Sequence, residues 1–323
     1  NFLNELMICL DELNENIDIM TKIIDLSKND ICWSYFRKVK GDLRASLHCA
    51  PRNISGYLKE NIFNDGSSGV VCSATLQFDN KFDYFSQELG ISQISGDVKT
   101  SIYESPFLYN EQMKLFLYKT NIDINSEDYI YDISDQIISY TKEINTRILV
   151  LCTSFSQIRK FKKIHNDNGF LSNIFYQLPG SNRSLLIENY LDNENAILFG
   201  TSSFWEGVDL PGKNVETLWI IKIPFSNPKE PLFLAQSEKY KINGNNAFMH
   251  YSIPDATIKF KQGFGRLIRN LSDYGVCILS DPRLTNKKYG KVILDSLPID
   301  SILYTSINDV ISRTEVFFKE FKT

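Results

Sequence analysis

The sequence predicts an α/β protein built on a parallel sheet with helices on both of its faces. Two observations carry that expectation. Apolar runs at residues 147–152, 196–200, 217–223 and 275–280 are continuous and do not alternate, as strands buried on both faces require. Stretches with helical periodicity lie between strand-sized runs, the alternation that yields a parallel sheet. Composition agrees. Of 323 residues 43% are hydrophobic and 23% charged, close to a globular average, which excludes disorder as the main state.

Each element follows in order. Leu3, Leu6, Met7, Leu10, Leu13, Ile17, Met20 and Ile24 recur at helical spacing, so residues 2–28 read as one helix. It would span about 40 Å, as a hairpin arm or one side of a bundle. Residues 44–49 and 69–73 read as strands, with a short helix over 55–63 between them and a turn at the Gly- and Ser-rich stretch 65–69. Residues 121–136, polar and acidic, read as a loop. From residue 146 the pattern is regular: strand 147–152, a helix over 154–166 with hydroxyl caps at its start, strand 173–177, helix 184–192 and strand 196–200. Strand 217–223, a helix over 253–270 opened by Pro254, and strand 275–280 follow. An amphipathic helix over 308–321 closes the chain.

Lys and Arg total 35 and Asp and Glu 39, a net charge of −4, so a globally basic nucleic-acid coat is excluded. The distribution is uneven. Residues 1–30 hold seven acids and two lysines, whereas residues 259–291 hold eight bases and two acids. A basic stripe of that kind can hold phosphate. No apolar run approaches the roughly 20 residues of a membrane span, and no signal sequence opens the chain. Six cysteines (Cys9, Cys32, Cys49, Cys72, Cys152, Cys277) form no C-x-x-C pair, which argues against a zinc ribbon or disulfide framework and fits a reducing cytoplasm. His48, His165 and His250 are far apart and none sits at metal spacing, so no metal site is read. The chain opens at Asn1 and not at methionine, and reads as a fragment.

The sharpest chemical signal is Gln262-Gly-Phe-Gly-Arg266-Leu-Ile-Arg269 near the end of a predicted helix. Spacings of four and three put Gln262, Arg266 and Arg269 on one helical face. Two guanidinium forks there suit a polyphosphate. The bland alternative is a salt-bridged surface helix. Gly263 and Gly265 count against it, since each costs a helix about 1 kcal/mol.

This run resembles motif VI of superfamily-two helicases, in the form found in the DinG/XPD group. Other motifs stand in the group's order. Cys72-Ser73-Ala74-Thr75-Leu76 resembles motif III, and Leu151-Cys152-Thr153-Ser154-Phe155 resembles motif IV. Gly200-Thr-Ser-Ser-Phe-Trp-Glu206-Gly207-Val-Asp209-Leu-Pro-Gly212 resembles motif V and is followed by Ile221-Lys-Ile-Pro-Phe225. The resemblance implies a RecA-like sheet and a motor of two such domains with ATP and Mg²⁺ in the cleft between them. Arg266 and Arg269 would supply the arginine finger and Gln262 would place the γ-phosphate or attacking water. Glu206, Gly207, Asp209 and Gly265 would line the nucleotide cleft. Thr153, Ser154, Thr201 and Ser202 would offer hydroxyls and amides to the phosphates of single-stranded DNA. Phe204 and Trp205 would stack on bases, with a place in the core as the alternative. Ser73 and Thr75 would couple the two sites.

The same resemblance divides the chain into the end of a helical arch insertion (1–36), the closing strip of the first motor domain (37–100) and the second motor domain (101–323). No P-loop is present. The nearest match, Gly207 to Asn214, lacks the magnesium-ligating hydroxyl and runs into a strand. No D-E-A-H-like motif exists, and no iron–sulfur module is encoded in this segment. The expectation is the C-terminal half of an ATP-dependent DNA helicase moving 5′ to 3′, inactive without the remainder of its own polypeptide. The competing reading is a non-catalytic nucleic-acid-binding scaffold.

Overall fold

The computed structural model describes residues 2–25, 29–39, 41–63, 68–94, 97–169, 173–205 and 214–322. They form two compact units. One comprises Asn1–Gln77, Lys81–Thr100 and Ser226–Ser252; the other comprises Phe78–Asn80, Ser101–Phe225 and Ile253–Thr323.

In the first unit, α1 (Phe2–Ile24) follows the apolar spacing. Strands β1 (Asp30–Val39) and β2 (Asp42–Pro51) pair antiparallel along their whole length. The sequence reading omits β1, although Ile31, Trp33 and Tyr35 carry the period of two that marks a strand. Helix α2 (Ile54–Asn61) is capped by Asn53, whose side chain accepts from the Gly56 amide. Residues 69–73, expected as a strand, form none, and Val70 is 93% exposed. A β-prone run becomes a strand only where a neighbour supplies a ladder and a surface to pack on. Helices α3 (Asp83–Glu88) and α9 (Pro231–Ile242) complete the unit, joined where the Tyr240 hydroxyl donates to Glu88 at 3.1 Å.

The second unit is the sheet. Its elements are α4 (Tyr109–Gln112), β3 (Met113–Tyr118), α5 (Glu127–Glu143), β4 (Ile148–Leu151), α6 (Phe155–Asp167), β5 (Ile174–Tyr176), α7 (Arg183–Leu191), β6 (Ile197–Gly200) and α8 (Ser202–Trp205). After them come β7 (Thr217–Ile220), α10 (Ile253–Phe264), β8 (Gly275–Leu279), α11 (Arg283–Asn286), α12 (Lys288–Asp295), β9 (Ser301–Tyr304) and α13 (Ile307–Lys322). Seven strands lie in the order β5-β6-β4-β7-β8-β3-β9, and every pairing is parallel. Alternate residues of the inner strands feed two separate cores. Leu149 and Leu151 join Phe204, Trp205, Phe260 and Phe264 on one face, while Ile148 and Val150 join Tyr129, Ile133, Phe161 and Phe317 on the other. This is the parallel α/β sheet that the apolar strand runs predict, in the RecA-like form that the helicase resemblance implies.

Two helix boundaries differ from expectation. Residues 127–136 belong to α5 and not to a loop. Ser126 caps the helix by accepting from the Tyr129 amide, Glu127 and Asp128 fill its first turn, and Tyr129, Ile130, Ile133 and Ile137 are buried. Acids at that end favour the helix dipole, so the polarity that suggested a loop is a start signal. Helix α10 stops at Phe264, six residues short of the expected end at 270.

Candidate nucleotide and strand site

The site is assembled at the carboxyl ends of the neighbouring strands β4 and β6, the edge where open parallel sheets bind ligands. Leaving β4, the chain passes through Cys152 and Thr153 to Ser154, which caps α6 by accepting from the Gln157 amide at 3.2 Å. Gln157 reaches back: its Oε1 accepts from the Thr153 amide at 2.9 Å and the Thr153 hydroxyl at 3.0 Å. This is a capping box displaced by one residue. Leaving β6, Thr201 repeats the device. Its amide donates to Gln177 Oε1 at 2.7 Å and its hydroxyl to the same atom at 3.3 Å, while Gln177 Nε2 donates to Ser203 Oγ at 2.6 Å.

The donors of both threonines are therefore already engaged, and Thr201 is buried. The sequence reading assigns these hydroxyls and amides to strand phosphates and does not include Gln157 or Gln177. The S-x-x-Q spacing of Ser154 and Gln157 is the signal that reveals the first. Ser202 opens α8. Glu206, Gly207 and Asp209 lie outside the described residues.

Phe204 is 0% exposed and Trp205 3%, so both belong to the core and neither presents a face to a base. Phe204 packs on Gly200, where an added Cβ would meet the ring at 2.6 Å, and Arg183 lies over the ring at 5.7 Å. Trp205 is a junction. Its indole Nε1 donates to the Cys152 carbonyl at 2.9 Å, and its own carbonyl accepts from Arg266 Nε at 3.0 Å and Nη2 at 2.7 Å. Its ring lies against Gly263, where a Cβ would meet Cζ3 at 2.6 Å. Gly263, which the sequence reading takes as a mark against a structural helix, thus has a packing reason of its own.

Gln262, Arg266 and Arg269 do not share a helical face. Gln262 lies in the last turn of α10. Arg266 sits in the turn after it, with its amide donating to the Gly263 carbonyl at 3.1 Å. Arg269 lies further on, where the buried Asp273 carboxylate accepts from the amides of Arg269 and Asn270, both at 2.9 Å. Burial of Leu267 and Ile268 and this aspartate turn replace the helix. Gln262 Oε1 is buried and has no hydrogen-bond partner among the described residues. Gly265 is exposed, and a Cβ there would find its nearest neighbour, the Lys261 carbonyl, at 3.4 Å.

A second charged cluster at the carboxyl ends of β7 and β8 is not read from the sequence. The buried Asp281 accepts from the Ile223 amide at 2.7 Å and from Arg283 Nη2 at 2.6 Å, and Arg283 lies over the Phe225 ring at 5.2 Å. Lys222 lies over the Tyr129 ring at 5.7 Å. Burial, and then the Arg283 charge, lower its pKa.

In the first unit, the Ser73 and Thr75 hydroxyls are 3.3 Å apart and Thr75 is buried. Among the described residues no group of three or more His, Cys, Asp or Glu side chains gathers to hold a metal ion. No described helix is long and apolar enough to cross a membrane.

Comparison with known proteins agrees with this fold. The helicase C-terminal domain family matches residues 137–300. The chain is 33% identical to the 3'-5' exonuclease DinG of Bacillus subtilis over 80% of its own length and 28% of that protein. It is 32% identical to the ATP-dependent DNA helicase YoaA of Haemophilus influenzae over 90% of its own length and 45% of that protein. The chain thus spans less than half the length of these relatives. A solved XPD helicase superposes over 80% of the chain and 46% of that structure with a TM-score of 0.58 at 19% identity, a likeness of fold. With the matched residues forming a RecA-like sheet, the chain belongs to the helicase C-terminal domain family and is DinG/XPD-like.

Proposed function

We propose that this chain is the second motor domain of an ATP-dependent DNA helicase. Arg266 and Arg269 face the phosphates of ATP, and a single DNA strand runs over the carboxyl ends of β4 and β6. The observation that carries the reading is the Trp205 junction. One side chain ties the loop after β4 to the loop after β6, and its carbonyl holds the guanidinium that follows α10. A shift of the strand-side loops is thereby transmitted to Arg266 through hydrogen bonds and not through a flexible linker.

The chemistry follows from charge. Phosphoryl transfer spreads negative charge over oxygens in a site from which water is excluded, and a guanidinium held in place stabilises it without reorganising. Two of the Arg266 donors are fixed by the Trp205 carbonyl, which sets the plane of the fork. The unpaired Gln262 Oε1 suits an acceptor for the attacking water, since a buried acceptor without a donor costs about 1–3 kcal/mol. ATP brings magnesium with it. Among the described residues no cluster of His, Cys, Asp or Glu side chains is gathered to hold the ion.

Glu206, Gly207, Asp209 and Gly265 belong to the cleft in this reading, and Thr153, Ser154, Thr201 and Ser202 flank the strand path. Residues 1–36 are the end of an arch insertion, and residues 37–100 are the closing strip of the first motor domain, where Ser73 and Thr75 couple the sites. Movement is 5′ to 3′.

The test is ATP turnover by the full-length protein with and without single-stranded DNA, alongside Arg266→Ala and Arg269→Ala. Each substitution is expected to lower stimulated turnover by roughly tenfold or more while changing strand affinity little. Near-normal turnover with weaker, less salt-dependent strand binding would place these arginines on DNA phosphates instead. Strand binding by the full-length protein with no hydrolysis would make it a non-catalytic binding protein.

A further inference from the structure

We propose that Cys32 and Cys49 are a thiol-oxidation site, forming a reversible disulfide within the β1–β2 hairpin on exposure to a hydroperoxide. The pairing register carries the argument. Cys32 lies directly opposite Cys49 in the antiparallel ladder. The Arg52 amide donates to the Asn29 carbonyl, which makes 29–52 a hydrogen-bonded pair. Such pairs alternate with non-hydrogen-bonded ones, so 31–50 is again bonded and 32–49 falls in a non-hydrogen-bonded position. There Cα atoms approach to about 4.5 Å and side chains lean together, at the near end of the roughly 4.4–6.8 Å range that a disulfide spans. The two Sγ atoms are 3.3 Å apart, with the Cys32 thiol also directed at the Lys22 carbonyl at the end of α1, 4.0 Å away. Both residues are half-buried, reachable by a small oxidant, whereas Cys152 and Cys277 are fully buried.

Burial, and then the hydrogen bond and charge of Cys32, push the Cys49 thiol up to about 11. A thiol held protonated is a poor first nucleophile, which assigns the first attack to Cys32. Its thiolate cleaves the peroxide O–O bond and takes one oxygen as a sulfenic acid. The other oxygen leaves with a proton as water or an alcohol. The Cys49 sulfur then displaces the sulfenic oxygen, which departs as water, and the S–S bond forms. Two electrons pass from the sulfur pair to the peroxide. A dithiol reverses the step by exchange and is itself oxidised to a disulfide.

The experiment treats the full chain with hydrogen peroxide, alkylates the remaining thiols and maps the unreduced digest by mass spectrometry. Expected is a Cys32 peptide joined to the Cys49 peptide, with loss of two alkylatable thiols that dithiothreitol restores. In Cys49→Ser the cross-link is lost and Cys32 is expected to be trapped as a sulfenic acid by dimedone; in Cys9→Ser/Cys72→Ser the cross-link remains. Equal alkylation of Cys32 and Cys49 before and after peroxide, or Cys32 joined to any other cysteine, would overturn the proposal. Neither readout depends on helicase activity.

Discussion

His165 shows how one buried side chain sets a pH limit on the sheet. It is 1% exposed, with Nε2 2.9 Å from the Ser134 hydroxyl and Nδ1 2.6 Å from the Tyr176 hydroxyl, bridging α5, α6 and β5. Burial lowers its pKa from 6.5 to about 4. Between those values the unfolded chain binds a proton that the folded chain refuses. Stability from this group is complete above pH 6.5 and is lost as pH falls toward 4, by up to about 3 kcal/mol. Denaturant titrations of the wild type at several pH values in that window are expected to show the slope. His165→Gln is expected to be less stable at neutral pH but flatter across the window. An equal slope in both proteins would move the effect to another group. From the sequence His165 reads as a surface or core histidine, since no metal spacing surrounds it, and only its burial decides between the two. Its two hydroxyl partners lie 31 and 11 residues away, beyond any local pattern.

At the scale of elements, the end of α10 decides where the arginines go. Gly263 lets α10 approach the Trp205 ring, and Gly263→Ala would drive a methyl into that ring. Overpacking of this kind costs about 1–3 kcal/mol. The substitution is therefore expected to destabilise the sheet unit by that amount and to lower ATP turnover by displacing the Trp205 carbonyl from Arg266. Gly265→Ala, two residues on and exposed, is expected to leave stability unchanged, because its new methyl meets nothing closer than 3.4 Å. Thermal unfolding of both variants checks the contrast. Equal losses would show that helix propensity and not ring packing governs the site. The Gln-Gly-x-Gly-Arg run marks the site in the sequence, but an eight-residue periodicity argument cannot say where the helix stops. Burial of Leu267 and Ile268 and the capture of two amides by Asp273 end it, and both are tertiary contacts.

For the whole molecule, the sheet unit places Arg266 beside the carboxyl ends of β4 and β6 but holds no P-loop sequence to grip the β- and γ-phosphates. The 323-residue chain by itself is expected to show no strand-stimulated ATP hydrolysis, and the full-length protein to show it. Stimulated turnover by the chain alone, measured by phosphate release, would mean that its own residues complete the site. What the sequence by itself determined is the fold class, the places of the strands Ile148–Leu151, Ile197–Gly200, Thr217–Ile220 and Gly275–Leu279 within its apolar runs, and the resemblance to the family that the comparison matches. Those signals are local: continuous apolar runs and short fixed spacings survive without knowledge of neighbours. Tertiary structure decided the rest. Strands Met113–Tyr118 and Ser301–Tyr304, the burial of Phe204 and Trp205, the glutamines that occupy Thr153 and Thr201, and the meeting of Cys32 with Cys49 depend on residues from 4 to about 200 positions apart. A residue such as Trp205 has the same amphipathic chemistry on a base or in a core. Only the carbonyl of Cys152 and the missing side chain of Gly263, brought to it by the sheet, make it a junction.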